Sequence, residues 1–145
     1  MYFVGKYDYQ MDDRNRIPIP PPYRAAFKDG IYVAQGTGSF LLLLTEEGLE
    51  KAAEVVEAFP QESDYGENVR RDLFANSFFV TPDGQGRILL DRELVDHAGL
   101  RKEVKVVGTG RRMEIWDRTA WEAGEAERKG ARRDAMNTQQ GGAVR

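Results

Sequence analysis

The chain has 145 residues, 41% of them hydrophobic, and a formal net charge of −3, which fits one compact domain with a real core. It has no cysteine, so disulfides and thiolate metal sites are excluded. No apolar run approaches the roughly 20 residues of a membrane-spanning helix, and charged residues interrupt the N-terminus where a secretory signal would lie. We therefore expect a cytoplasmic protein with no membrane partner.

The predicted elements describe an α+β protein with a mainly β core. Hydrophobic alternation and short apolar runs predict strands over residues 2–11, 17–20, 31–35, 39–44, 76–81, 87–90, 104–107 and 113–116. Helical spacing and capping residues predict helices over 22–27, 45–59, 63–74, 91–98 and from 117 onward. Beyond Arg128 the chain is polar, and we expect a frayed or flexible tail.

Two short segments, 12–16 and 83–87, repeat the same pattern 71 positions apart. Each has an Asp, three loop-type residues, an Arg and then an apolar strand. Asn15 and Gly86 precede the Arg and tolerate the positive φ of a tight hairpin turn. An Asp four positions earlier can bond the loop amides or the guanidinium, so we expect two arginines held in fixed directions to bind something anionic.

The surrounding elements also recur in the same order, which indicates an internal duplication. Strand, loop, strand, helix, strand, turn, strand and capped helix coincide in the two halves. One such unit buries too little surface alone, so we expect two halves to share a barrel or sandwich core with pseudo-twofold symmetry. We divide the chain into a first half at 1–60, a helical linker at 61–75, a second half at 76–127 and a tail at 128–145.

With these motifs the chain resembles the MraZ family of the SpoVT/AbrB-like superfamily. The doubled Asp-x-x-x-Arg pattern carries the resemblance, together with the segments His97–Val104 and Met113–Asp117. The resemblance covers roughly residues 1–125. Asn15 departs from the Gly usual in the first loop, and the second return strand ends at Asp91 without the usual Pro.

The resemblance implies a swapped-hairpin β-barrel of two AbrB-like halves with flanking helices. It also implies a ring-shaped homo-oligomer, associated with the nucleoid, that represses the division and cell-wall gene cluster by binding short direct repeats in its own promoter. Double-stranded DNA is then the expected partner. The resemblance implies no catalytic residue, cofactor or small-molecule substrate. The candidate DNA-binding residues are Arg14, Asn15, Arg16, Gln85 and Arg87, with Asp12 and Asp83 bracing the loops.

Guanidinium groups can clamp phosphate or pair with guanine in the major groove, and a β-hairpin fits that groove. Asn15 and Gln85 can hydrogen-bond bases or phosphates. We expect the first loop to have the larger role in DNA binding, because it carries Arg14 as well as Arg16.

Three other interpretations stay open at this stage. The Asp–Arg pairs could be exposed salt bridges that only hold turns. The chain could be an AbrB-like antitoxin or protein-interaction module, although two copies and a short tail disfavour this. It could also be an enzyme, but no nucleophile–base pair or metal cluster is visible in the sequence, so we expect none.

Overall fold

The computed structural model of the protein describes residues 1–144, with side chains described through residue 139. The eight strands are β1 Lys6–Gln10, β2 Arg16–Pro18, β3 Ile31–Gln35, β4 Leu41–Leu44, β5 Phe78–Val80, β6 Arg87–Leu89, β7 Glu103–Gly108 and β8 Met113–Asp117. The five helices are α1 Glu46–Glu57, α2 Asp64–Ala75, α3 Arg92–Ala98, α4 Arg118–Ala123 and α5 Glu125–Val144. This confirms a mixed fold built around antiparallel strands.

The strand order of the sheet is symmetric about its centre. Six strands form one antiparallel sheet in the order β1-β7-β8-β4-β3-β5, and β2 pairs with β6 in a separate two-stranded ribbon. Exchanging the two halves of the chain turns β1 into β5, β7 into β3 and β8 into β4, so the order reads the same from both ends. The pseudo-twofold axis therefore passes between β4 and β8, and between β2 and β6.

The centre of the ribbon is a pair of buried isoleucines. Ile17 on β2 faces Ile88 on β6 in the register, and these residues also lie 71 positions apart. Both side chains are fully buried in the main core, which continues into the sheet through Ile115 and Val106. Burying large aliphatic side chains from both layers stabilises the ribbon on the sheet.

Side-chain caps set the starts of the helices. The hydroxyl of Thr45 accepts a hydrogen bond from the Gly48 amide at 3.0 Å, and the hydroxyl of Ser63 accepts one from the Gly66 amide at 3.0 Å. Asp91 and Asp117 accept amide hydrogen bonds at the starts of α3 and α4. These contacts satisfy amides that have no partner within the helix, as the sequence predicts.

The strands on either side of each arginine loop do not pair with each other. The Asp12 amide bonds the Arg16 carbonyl at 3.1 Å, so the turn itself closes as predicted. Beyond the turn, however, β1 pairs with β7, and β2 crosses to β6 in the other half. The hairpin prediction is therefore right for the turn and wrong for its strands, and a closed swapped-hairpin barrel stays a prediction.

Two segments have a different conformation from the one predicted. The expected helix over 22–27 is a pair of 3₁₀ turns, Pro21–Tyr23 and Ala25–Phe27. The amides of Tyr23 and Arg24 bond the carbonyls of Pro20 and Pro21, three residues earlier, which is the hydrogen-bond pattern of a 3₁₀ turn. The segment expected as a flexible tail is helical to Val144 within α5, while Arg145 lies outside the described residues. The Arg128 guanidinium lies 3.7 Å from the Trp121 ring centroid, which attaches the start of α5 to α4.

Among the helices of residues 1–144, none combines the length and the apolar character that a membrane crossing requires.

Candidate functional site

The first arginine loop is organised around the carboxylate of Asp12. Its Oδ1 accepts hydrogen bonds from the backbone amides of Arg14 at 3.0 Å and Arg16 at 2.9 Å. Its Oδ2 accepts one from Nε of Arg16 at 2.7 Å. Asn15 has a φ of 60°, which lets the chain turn back toward the strand. One carboxylate thus fixes both the loop backbone and the direction of the arginine side chain.

The second arginine loop repeats this arrangement bond for bond. Oδ1 of Asp83 accepts from the amides of Gln85 at 2.9 Å and Arg87 at 3.0 Å, and Oδ2 accepts from Nε of Arg87 at 2.9 Å. Gly86 has a φ of 75°, in the place of Asn15. The matching geometry follows from the matching sequence, because every one of these bonds spans four residues or fewer.

The ribbon holds the two loops side by side. The Ile19 amide bonds the Gly86 carbonyl at 2.8 Å, and the Leu90 amide bonds the Asn15 carbonyl at 2.9 Å. These two bonds are equivalents under the pseudo-twofold axis. Nη1 of Arg87 also lies 3.9 Å from Oδ2 of Asp12, so an arginine of one loop approaches the carboxylate of the other. The two loops therefore form one surface.

The hydrogen bonds hold both loop carboxylates in their charged form. The Arg16 amide, followed by the Arg16 side chain, lowers the pKa of Asp12 below its ordinary value. The Arg87 amide has the same effect on the pKa of Asp83, helped by the Gln85 amide. A lowered pKa means that the folded loops favour the carboxylate over the protonated acid.

The structure separates the predicted site residues into two groups. Arg16 and Arg87 are partly buried, with 28% of each side chain exposed, and each keeps its Nε on an aspartate. Arg14 and Gln85 occupy equivalent positions at the loop tips, where both are exposed. Asn15 is partly buried in the turn itself. The predicted residues therefore come together on one surface, and the motif arginines take part in loop ion pairs as well.

Two further cations lie beside the second loop and were missed by the sequence analysis. Arg24 and Lys28 are exposed and line a shallow groove with loop residues 83–86. They lie outside both Asp-x-x-x-Arg motifs, and no local pattern relates them to residue 86. Counting only arginines within the loops therefore underestimates the positive charge next to the second loop.

In the part of the chain that the structure describes, no group of three or more His, Asp or Glu side chains is placed to hold a metal ion.

The fold and this surface define an α+β protein of two similar halves that presents a pair of arginine loops side by side. Residues 73–140 match the family model described as "MraZ protein, putative antitoxin-like". A protein of Dehalococcoides mccartyi named "Transcriptional regulator MraZ" is 35% identical over 136 residues, which is 92% of each chain. Proteins with the same name from Kocuria rhizophila and Dictyoglomus turgidum are 31% and 32% identical, over 89% and 83% of this chain and 90% and 82% of their own. The chain therefore belongs to the MraZ family.

Proposed function

We propose that this protein is a transcriptional regulator that binds double-stranded DNA through its two arginine loops. The observation that carries the proposal is the pair of loops with identical hydrogen bonding, held side by side on the surface by one ribbon. The relatives named as transcriptional regulators support it, because the chain matches them over most of its length. The targets we infer are the division and cell-wall genes, including the protein's own gene, and the action is repression.

In this proposal the loops bind with their arginines already oriented. The hydrogen bond to each aspartate uses only the Nε of its own arginine, and Nη1 of Arg87 lies 3.9 Å from Oδ2 of Asp12, beyond hydrogen-bond distance. The remaining guanidinium donors can therefore bond phosphate oxygens or the O6 and N7 of guanine. Fixing the side chains before binding lowers the entropy lost on association. Arg14 and Gln85 at the loop tips, with Asn15 behind them, supply further donors to bases or phosphates.

One protomer offers few cations, so we infer that several protomers bind short direct repeats together as a ring-shaped homo-oligomer. Repeated weak contacts then add up to useful affinity. Exposed apolar residues near the N-terminus support self-association: Met1 is 80% exposed, Val4 61% and Phe79 58%. Met1 and Phe79 line the same groove, which a second copy would cover.

The proposal extends to fold and location. The crossing of β2 to β6 is what a swapped-hairpin barrel requires, since each half contributes one strand to the ribbon beside the other half. We infer that the protein acts at the nucleoid in the cytoplasm, without enzymatic activity and without a cofactor.

The test is a DNA-binding titration with the region upstream of the protein's own gene. Wild type is compared with Arg16→Ala. Arg71→Ala serves as control, because Arg71 is exposed on α2, a helix whose Leu73 packs on the sheet face opposite the ribbon. Arg16→Ala keeps the two amide bonds to Asp12, so we expect an intact fold by circular dichroism. We expect affinity to fall about tenfold or more, as for a lost bidentate contact. Wild-type affinity in Arg16→Ala would remove this residue from the site.

A second candidate function is an antitoxin or protein-interaction module, which the description of the matching family model favours. The two-copy architecture fits it less well, because both loops sit on one rigid ribbon and do not extend as a disordered arm. A wild-type protein that binds neither its own upstream region nor an unrelated duplex, but captures a defined protein partner, would favour this candidate.

A further inference from the structure

One of the two cations beside the second loop, Arg24, is held in place by a hydrogen bond to the backbone of Ile19. Nε of Arg24 donates a hydrogen bond to the carbonyl of Ile19 at 3.1 Å. The amide of the same Ile19 bonds the Gly86 carbonyl at 2.8 Å. The carbonyl of Ile19 therefore binds Arg24 while its amide binds the second loop, so Arg24 and the loop are positioned relative to each other.

The absence of a side chain at Gly86 makes room for Arg24. A Cβ built at residue 86 would lie 2.6 Å from Nε of Arg24 and 3.0 Å from its Cζ. The guanidinium thus lies over the loop backbone, in space that any other residue at 86 would enter. In the first loop the equivalent position is Asn15, which carries a side chain there. The two loops differ at this position although both have positive φ.

The second half has no counterpart of this cation. The residue 71 positions after Arg24 is Val95, and the residue 71 positions after Lys28 is Gly99. Val95 packs against the core. Within the described residues, the first loop consequently has no cation in the position that Arg24 takes beside the second loop, and the duplicated surface is electrostatically asymmetric.

The groove between Arg24, Lys28 and the loop has a volume of about 260 Å³ and carries net positive charge. Asp83 also lines it, but both of its oxygens already accept bonds from the loop, and its charge is balanced by Arg87. Among the described residues, Arg24 and Lys28 form no ion pair with a carboxylate. Two exposed cations beside a loop rich in glycine suit a tetrahedral oxyanion that approaches the backbone closely.

We propose that Arg24, supported by Lys28, forms a phosphate-binding site on the flank of the second loop that contacts the DNA backbone next to the position the loop reads. This inference rests on the DNA-binding function proposed above. It makes the second loop the more strongly anchored of the two, which reverses the expectation from counting arginines within the loops. A phosphate contact positions the protein on DNA without reading sequence.

The test measures affinity against salt for two duplexes of equal length: the region upstream of the protein's own gene and a shuffled version of it. Wild type is compared with Arg24→Gln, Arg24→Lys and the control Arg71→Gln, in which an exposed arginine of α2 loses its charge. We expect Arg24→Gln to lose about tenfold in affinity for each protomer bound, on both duplexes, as for one charged hydrogen-bond contact per protomer. The slope of log affinity against log salt should fall in magnitude by about 0.9 for each protomer bound. Arg24→Lys should restore the slope, and Arg71→Gln should match wild type.

Three outcomes would overturn the assignment in distinguishable ways. Wild-type affinity and slope in Arg24→Gln would remove the phosphate site while leaving the DNA-binding function intact. A loss confined to the upstream duplex would mean that Arg24 reads bases. A wild-type protein that binds neither duplex would overturn the proposed function and this site with it. If Arg24→Gln melts at a lower temperature than wild type, the same salt titration is made with Lys28→Gln. This variant should fold normally, because no hydrogen bond of the described chain uses the Lys28 ammonium. An unchanged salt slope in Lys28→Gln would also overturn the site.

Discussion

Replacing Ile88 by alanine tests whether the ribbon is what makes the two loops one surface. Ile88 is fully buried, and it pairs with Ile17 at the pseudo-twofold axis, directly between the loops. Its removal leaves both loop sequences and all of their local hydrogen bonds unchanged. Any effect on DNA binding must therefore come from the relative position of the loops.

The magnitude follows from burial. Isoleucine to alanine removes three carbons, worth about 2.4 kcal/mol at about 0.8 kcal/mol each, and the cavity left behind adds to this. We expect a loss of about 3–4 kcal/mol in the free energy of unfolding. For a chain of this length that corresponds to a fall of about 10 °C in melting temperature. The conservative change Ile88→Val should cost only about 1 kcal/mol.

The matched control is Ile115→Ala, an equally buried isoleucine on β8 in the six-stranded sheet. Both alanine variants should lose similar stability by thermal or urea unfolding. Both variants should remain folded at about 20 °C. If displacement of the loops costs about 1 kcal/mol of binding free energy, Ile88→Ala should bind the upstream duplex about fivefold more weakly than Ile115→Ala. Equal DNA affinities of the two variants would refute the role of the ribbon in positioning the loops.

Two more predictions follow from the loops and from the apolar N-terminus. The pKa values of Asp12 and Asp83 are lowered in the folded loops, so both carboxylates stabilise the fold above about pH 4, and this contribution is lost as the pH falls through the lowered folded values. A carboxyl-carbon NMR titration should give both midpoints below about 3.9. A midpoint at or above about 4 would contradict the hydrogen bonding of the loops. Val4→Asp should shift the homo-oligomer toward smaller species in light scattering, whereas Met136→Asp, another exposed apolar position, on α5, should not. An unchanged size distribution for Val4→Asp would place the interface elsewhere.

The arginine loops and the helix caps were predictable because their interactions are local. The bonds of Asp12 and Asp83 reach two and four residues along the chain, so the spacing of Asp and Arg already contains them. The caps at Thr45 and Asp91 bond amides two or three positions away. A residue type at a fixed short distance was enough to predict these contacts.

The partners of the strands were not predictable in the same way. A tight turn usually joins two strands that pair with each other, and the sequence of the first loop satisfies that rule. The structure instead pairs β2 with β6, from residues about 70 positions apart, and this pairing places Ile17 and Ile88 in the buried core beneath the sheet. The side chain of Arg24 likewise reaches loop residue 86 only through the crossing of β2.

By itself the sequence determined that two halves repeat one pattern of elements, where the four side-chain-capped helices begin, and how an aspartate and an arginine shape each loop. The caps and the loops depend on contacts between near neighbours in the chain. Only the tertiary structure decided that the halves exchange strands, that the two loops lie together, and that the second loop has additional cations beside it. The physical reason is that burial of apolar surface is equally favourable whether the side chains that meet are near or far apart in the sequence. It selects the packing that covers the most side chains, and the polar residues of the surface are placed wherever that packing leaves them.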